Sequence, residues 1–524
     1  MKLTAVFLLV SATVATLVSG LTSNTESDAP IVDLGYASYQ GSFDASTNVT
    51  NFLGIRYAAA PLGDLRFRAP QPPANVPGVQ QANTEPPECF QAFMGLSPTN
   101  PFANQTLGKR QLPHDQTEDC LFLNVAIPGS TIPTGELPVI VWIHGGGYLS
   151  GDASDYHGSE LINAANGSVV VVSIQYRLGV FGFLAGEQVK ENGALNAGLL
   201  DQHFALQWVN THISKFGGLN SKVTIWGESA GAGSVLQQVI AQDGRTHPQL
   251  FRAAMTSSTF LPEVVAQTNC TSSSDTLSCL RSVDANTLET VNTDITLAGF
   301  FGLFTFVPVV DGEFITQRAT EALKQGKVNG RALLAVTNTN EGVIFVNQTV
   351  NQNTTFYAEQ LFPKFGLEQA QETARQYAGL GSQLNQTNLI HGESIFICPT
   401  YYLLNAFSGH SFKGEFAVPP ATHGMDIQYY FSTIQFPPTT FENADFQKAF
   451  TQSFLAFAIS MDPNSKFDPT NITPQWSKYS AGNTEMVFNS TEDGSAADIH
   501  TISTNSGLLE RCSFWESVGQ LTGQ

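Results

Sequence analysis

Residues Val223-Thr224-Ile225-Trp226-Gly227-Glu228-Ser229-Ala230-Gly231 set a serine between glycines two positions before and two after it. Four residues of β character lead in, and a helix-compatible run from Ala230 to Gln242 follows. At the tip of a tight strand-to-helix turn a serine holds a strained backbone, and the flanking glycines let strand and helix close so that its oxygen projects outward. The helix start behind it favours negative charge there. This is the pattern of an activated nucleophile. G-x-S-x-G also arises by chance in chains containing Gly and Ser, so the strand before it and the helix after it carry the reading. A serine hydroxyl is a poor nucleophile near neutral pH and needs a general base, and the charge it creates needs fixed N–H donors. A second glycine turn, His144-Gly145-Gly146-Gly147-Tyr148, ends the apolar run Leu137 to Ile143. A phosphate cradle is the rival reading of that turn, but no P-loop Lys-Ser/Thr follows it.

The elements around these turns alternate. Leu121 to Ile127 and Leu137 to Ile143 are apolar runs of strand length, and Val169 to Tyr176 is a β-branched run suited to a strand covered on both faces. Asn196 is expected to cap a helix through Phe216, with Leu199, Leu200, Phe204, Trp208, Val209, Ile213 and Phe216 on one broad stripe. Strand, helix, strand, helix in this order predicts an α/β fold with a large, mostly parallel mixed sheet, whose ligands lie at the carboxyl ends of the strands. Both glycine turns sit at such ends. Ile31 to Leu34, Ala37 to Gln40 and Phe52 to Tyr57 read as an antiparallel edge.

With 42% hydrophobic and 13% charged residues among 524, the chain can bury a large core. No linker, charge block or repeat marks a boundary, so we expect one domain over 21–524 with insertions. A net charge of -20 argues against nucleic acid or an anionic membrane as partner. Met1-Lys2, the apolar run Leu3 to Val18 and Ser19-Gly20 read as a secretory signal over 1–20. A membrane anchor is the rival, weakened by the threonines and serines in that run and by its length. Six cysteines in a secreted chain suggest three disulfides, with all pairings open from the residues alone. Sequons at Asn48, Asn104, Asn166, Asn269, Asn347, Asn353, Asn385, Asn471 and Asn489 fit N-glycosylation on that route. No metal-ligand spacing is present, so neither metal nor cofactor is implied.

Several stretches together resemble the type-B carboxylesterase/lipase family of α/β-hydrolases, which includes cholinesterases and fungal lipases. They are Gly54-Ile55-Arg56-Tyr57 with Arg66-Phe67, Glu118 to Val125, the His144 to Tyr148 turn, Tyr176-Arg177-Leu178-Gly179, Gly198 to Gln202, Gly227 to Gly231, Val309 to Gly312 and Arg511 to Trp515. The resemblance runs from about Pro30 to the C-terminus. It implies the α/β-hydrolase fold, with insertions forming a gorge or cap, and ester hydrolysis through the chain order nucleophile, acid, histidine. His391, His410, His423 and His500 follow a plausible acid, and His423, in Ala421-Thr422-His423-Gly424-Met425-Asp426, is similar to the family's His-Gly-x-acidic motif. His391 we read as surface or packing. For the acid we choose Glu341, after the apolar run Leu333 to Val336; its role would be to hold the imidazole tautomer and stabilise imidazolium. Asp311, in a turn signal after Val307 to Val310, is its rival.

The resemblance assigns oxyanion donors to Gly146, Gly147 and Ala230, and supporting positions to Glu228, Ser257 and Asp426. It pairs Cys89 with Cys120, Cys270 with Cys279, and Cys398 with Cys512. In lipases of the family the first of these loops is a lid. Here it carries Phe90, Phe93, Met94, Leu96 and Phe102 and no Trp, which disfavours choline esters and suits apolar ones; a static cover is the alternative to a lid. Gly302 stands where a cholinesterase acyl pocket has one phenylalanine and Phe304 matches the other, so a wider acyl pocket is expected. The sequence thus reads as a secreted serine esterase acting on small-molecule or lipid esters, with transient contact at a lipid interface if it is a lipase. A catalytically dead binding or adhesion relative is the rival, and it has no reason to keep Ser229, Glu341, His423 and the glycine turn together.

Overall fold

The computed structural model describes residues 29–99, 116–261, 276–434 and 441–524. Eleven strands form the main sheet: β1 (Ser42–Asp44), β2 (Val49–Arg56), β3 (Phe122–Pro128), β4 (Leu137–Ile143), β5 (Val170–Ile174), β6 (Gly218–Glu228), β7 (Ala253–Ser257), β8 (Ala332–Asn338), β9 (Ser411–Phe416), β10 (Thr484–Ser490) and β11 (Ala497–Ser503). Their spatial order is β11-β10-β9-β8-β7-β6-β4-β5-β3-β2-β1. From β5 through β10 neighbours run parallel, while β11 at one margin and β3, β2 and β1 at the other run antiparallel. This is the α/β-hydrolase arrangement that the alternating elements and the family resemblance imply.

The parallel strands are apolar throughout because helices cover both faces. Side chains alternate between two cores: Val139, Val141 and Ile143 of β4 join one, and Ile140 and Trp142 join the other. On the second face α3 (Ala444–Ser460) lays Phe446, Phe450 and Phe454 against Trp226, Tyr430 and Phe488. On the first, α1 (Ala197–His212) buries Leu199, Leu206 and Val209, followed by a 3-10 turn, Ile213–Phe216. The expected N-terminal edge divides in two. Ile31–Asp33 and Ser38–Gln40 pair antiparallel in a separate small sheet with Val79–Gln81, and only the hairpin β1–β2 joins the main sheet.

One expectation is corrected. Asn196 stands at the start of α1 in the left-handed region (φ 56), but its side chain caps nothing there. Its amide donates to Val309 O at 2.8 Å and Asp311 Oδ2 at 2.6 Å, and its oxygen accepts from Val309 N at 2.8 Å. A remote loop outcompetes the helix start for the same groups.

Cys89–Cys120 and Cys398–Cys512 are bonded, as the resemblance pairs them. Cys279 is exposed in a short helix, Thr276–Ser282; Cys270 lies outside the described residues, as do the signal-like segment and Phe102. Among the described residues no helix is long and apolar enough to cross a membrane.

Candidate active site

Ser229 stands between β6 and α2 (Ala230–Gly244) with φ 53 and ψ −123, a strained position held from both sides: Ser229 N donates to Ser257 O, and Ser229 O accepts from Gly233 N. The flanking glycines are sterically required. A Cβ on Gly227 would come within 2.5 Å of Gly231 C, and one on Gly231 would come within 2.0 Å of Ile143 O. The motif therefore records how closely α2 passes the end of β4.

That same strand end delivers the second glycine turn. Gly146 and Gly147 take φ 94 and 66, and a Cβ on Gly145 would sit 3.1 Å from Ser229 Cβ. The turn thus lies directly against the elbow, and Phe304 closes its other side, 1.9 Å from where a Gly147 Cβ would be.

Glu341 and His423 come from loops after β8 and β9, neighbouring parallel strands, with an isolated bridge between Asn340 and Thr422 tying the two loops together. The His423 Nδ1 lies 2.6 Å from Glu341 Oε2. Both side chains are buried. The other oxygen, Oε1, accepts from Ser258 Oγ at 2.8 Å and Asn338 N at 2.7 Å. Glu228 approaches the remaining ring nitrogen, with Oε1 at 3.3 Å from Nε2. Phe345 and Phe396 wall the imidazole at centroid separations of 4.9 and 4.4 Å. Ser229, Glu341, His423, the glycine turn and Glu228 are therefore gathered in one place.

The rest separate. Asp311 accepts from the backbone N–H groups of Glu313, Phe314 and Ile315 and from Asn196, so it folds its own turn. His391 is buried and packs face to face on Phe345 at 5.1 Å, with Tyr357 OH 2.9 Å from its Nδ1. Of the two readings, packing is the right one; the ring is no surface group. Burial first, and then the charge of His423, lower its pKa to about 3, so it stays neutral. His410 is exposed beside β9, and His500 is exposed on β11 with its Nδ1 2.9 Å from Asp498. Ser257 touches Trp226 Nε1 at 3.4 Å and Tyr430 OH at 3.5 Å. Asp426 accepts from Asn338 Nδ2 at 2.9 Å, and burial raises its pKa to about 6.

Gly302 packs closely against Phe345. A Cβ there would lie 2.0 Å from Phe345 O, so the main chain of Phe345 fills that side. Phe260, Phe304, Phe345 and Phe396 pack on one another at 5.1 to 6.0 Å and surround the His423 side of the site. Sequence reasoning missed Phe345 and Phe396, and also Ser258 and Asn338. Asn338, three residues before Glu341 at a strand end, had a local signal; Phe396, set by a π turn over Glu393–Ile397, had none.

The model of the family described as "Carboxylesterase family" matches residues 28–515. The chain belongs to this family. It is 32% identical over 487 residues to Lipase 4 of Diutina rugosa, covering 82% of this chain and 86% of the relative. It is 29% identical over 504 residues to Secreted lipase 1 of Botryotinia fuckeliana, covering 84% and 85%. The crystal structure of Aspergillus niger EstA superposes with a TM-score of 0.82 at 27% identity, covering 95% of this chain and 99% of that one. Carboxylic ester hydrolysis is thus the activity of this carboxylesterase-family chain, and esters are its substrates.

Proposed function

We propose that the chain is a secreted serine esterase in which Ser229 attacks the ester carbonyl, His423 is general base and then general acid, and Glu341 orients and stabilises His423. The observation that supports this most is the 2.6 Å contact between Glu341 and His423 beside a strained serine. In the acylation step the Ser229 Oγ–H proton passes to His423 Nε2 as the Oγ–C bond forms. The carbonyl oxygen gains negative charge facing the N–H groups of Gly146, Gly147 and Ala230. Collapse breaks the bond to the alcohol oxygen, which takes the proton from Nε2. Water, deprotonated by the same nitrogen, then releases the acid and restores Ser229. One domain over 21–524, a cleaved signal over 1–20 and N-glycans complete the reading; a relative named as secreted and two disulfides support the route.

Two carboxylates flank the imidazole, and this sets a pH dependence. Burial works against the His423 cation, but Glu228, Glu341 and Asp426 outweigh it and raise the pKa above 6.5. Burial likewise pushes Glu228 up to about 8, opposed by His423. Glu228 and His423 therefore face each other across 3.3 Å, and each favours the charged form of the other. Since the base must be neutral, kcat/KM is expected to fall as pH drops through a limb centred above 6.5. Glu228→Gln removes an anion that favours imidazolium and moves this limb to lower pH; an unmoved limb would mean that Glu228 carries no charge beside His423.

A second reading, a triacylglycerol or sterol-ester lipase with the Cys89 to Cys120 loop as lid, is favoured by the relatives named lipases. The start of that loop is anchored: Leu96 N donates to Leu297 O, Ser97 N to Gly299 O, and Gly302 N to Gly95 O. Initial rate against concentration of a short triacylglycerol, taken through its solubility limit, separates the two. A jump when droplets appear supports the lipase; saturation below the limit supports the esterase. Equal inactivity of wild type and Ser229→Ala across acyl lengths would instead favour a binding-only protein. On the acyl side, Phe304→Ala is expected to raise the octanoate-to-acetate rate ratio by roughly tenfold or more by opening the aromatic wall. An unchanged ratio would remove Phe304 from the acyl pocket.

A further inference from the structure

Ser258 follows β7 in the left-handed region, with φ 58 and no exposed surface. A glycine would hold that conformation without strain, and a residue with a Cβ does not. The structure offers a reason for the hydroxyl. Ser258 Oγ donates to Glu341 Oε1 at 2.8 Å and accepts from Asn338 Nδ2 at 3.1 Å. The same Nδ2 donates to Asp426 Oδ1, and the Asn338 main-chain N–H donates to Glu341 Oε1 at 2.7 Å. Two donors thus converge on one oxygen of the acid, and the other oxygen is left facing His423.

We infer that Ser258 is a positioning residue for ester hydrolysis, holding Glu341 turned so that only Oε2 meets the imidazole. This rests on the triad reading above. A carboxylate with a free Oε1 could rotate, or approach the ring in a geometry that no longer fixes the tautomer with a proton on Nδ1 and a lone pair on Nε2. Ser257, the neighbour that the family resemblance selects, meets Trp226, Tyr430 and Asp426, whereas Ser258 meets Glu341 itself.

The effect falls on kcat and on the pH profile. A donor to Oε1 stabilises the unprotonated acid–imidazole pair, so its loss raises the proton affinity of the pair and moves the acid limb of kcat/KM upward. The other groups facing the pair, Glu228 at the end of β6, Asp426 in the loop after β9 and His391 across Phe345, are unchanged by the substitution.

The test compares Ser258→Ala with Ser258→Gly in the full chain on a soluble p-nitrophenyl ester, with active-site titration to count folded enzyme. Both variants are expected to lose roughly tenfold to a hundredfold in kcat, the scale of one hydrogen bond to a charged group. KM should stay within about twofold, and the acid limb should move upward. Ser258→Gly, relieved of the positive-φ strain, should melt at a higher temperature than Ser258→Ala while being no faster. Wild-type kcat in Ser258→Gly, or a loss confined to KM, would overturn the inference. Glu341→Gln separates this from the triad reading. If Glu341→Gln is slow and the Ser258 variants are not, only the role of Ser258 fails; if Glu341→Gln keeps full activity, the triad assignment fails with it. Adding Ser258→Gly to Glu341→Gln should cost little more, because both act through one carboxylate.

Discussion

Ser229→Ala is expected to lower kcat by about 10⁴-fold to 10⁶-fold on any ester the wild type cleaves, and adding His423→Ala to cost almost nothing further. Without Oγ no acyl-enzyme forms, and the imidazole has nothing to deprotonate but water. What survives is the contribution of the glycine turn and of binding. The fold should be unaffected, because the strain at Ser229 is held by its main chain, through Ser257 O and Gly233 N, and not by its side chain. The measurement is a burst of p-nitrophenol in stopped flow, present in wild type and absent in the variant, with melting temperatures that agree. A burst in Ser229→Ala, or losses that multiply in the double variant, would show that the two residues do not act as one unit.

Asp201→Ala is expected to be the most damaging substitution to stability, at about 3–5 kcal/mol. Asp201 is fully buried in the first turns of α1 and takes Arg177 Nε, an Arg177 terminal nitrogen and the Arg177 main-chain N–H, at 2.7, 2.7 and 3.1 Å. Arg177 is also buried, so removing the carboxylate strands a cation in the core. Replacing both partners by apolar residues of similar size should cost much less, because no uncompensated charge remains. The damage should reach the site as well: the segment after Arg177 supports the glycine turn, with Gly179 N donating to Tyr148 O at 2.8 Å. Urea unfolding of the single and double variants checks this. A lower midpoint at unchanged slope is the expected result for Asp201→Ala, and a midpoint equal to wild type would mean that Arg177 finds another partner.

What the sequence by itself determined is what local sterics and periodicity encode. Gly227 is needed by the turn that contains it and Gly231 by the end of β4 that passes it, and the spacing of the two glycines made the elbow legible before that neighbour was known. The apolar runs that became β4, β5 and β8 were legible because a strand covered on both faces has to be apolar throughout. Family resemblance added the pairing of distant partners, Glu341 with His423 and Cys398 with Cys512, which no local pattern carries. Tertiary structure decided the rest, wherever one group could satisfy several neighbours. Asn196 has the chemistry of a helix cap, yet its amide serves a loop more than a hundred residues away in sequence. Gly302 names no partner in the sequence, and the tertiary structure sets the main chain of Phe345 against it. Ser257 and Ser258 are alike in composition, but only the positive φ of the second turns its hydroxyl onto Glu341. Periodicity specifies which residues are buried, whereas which buried polar groups meet depends on how separate strands end beside each other, and that is fixed only when the sheet closes.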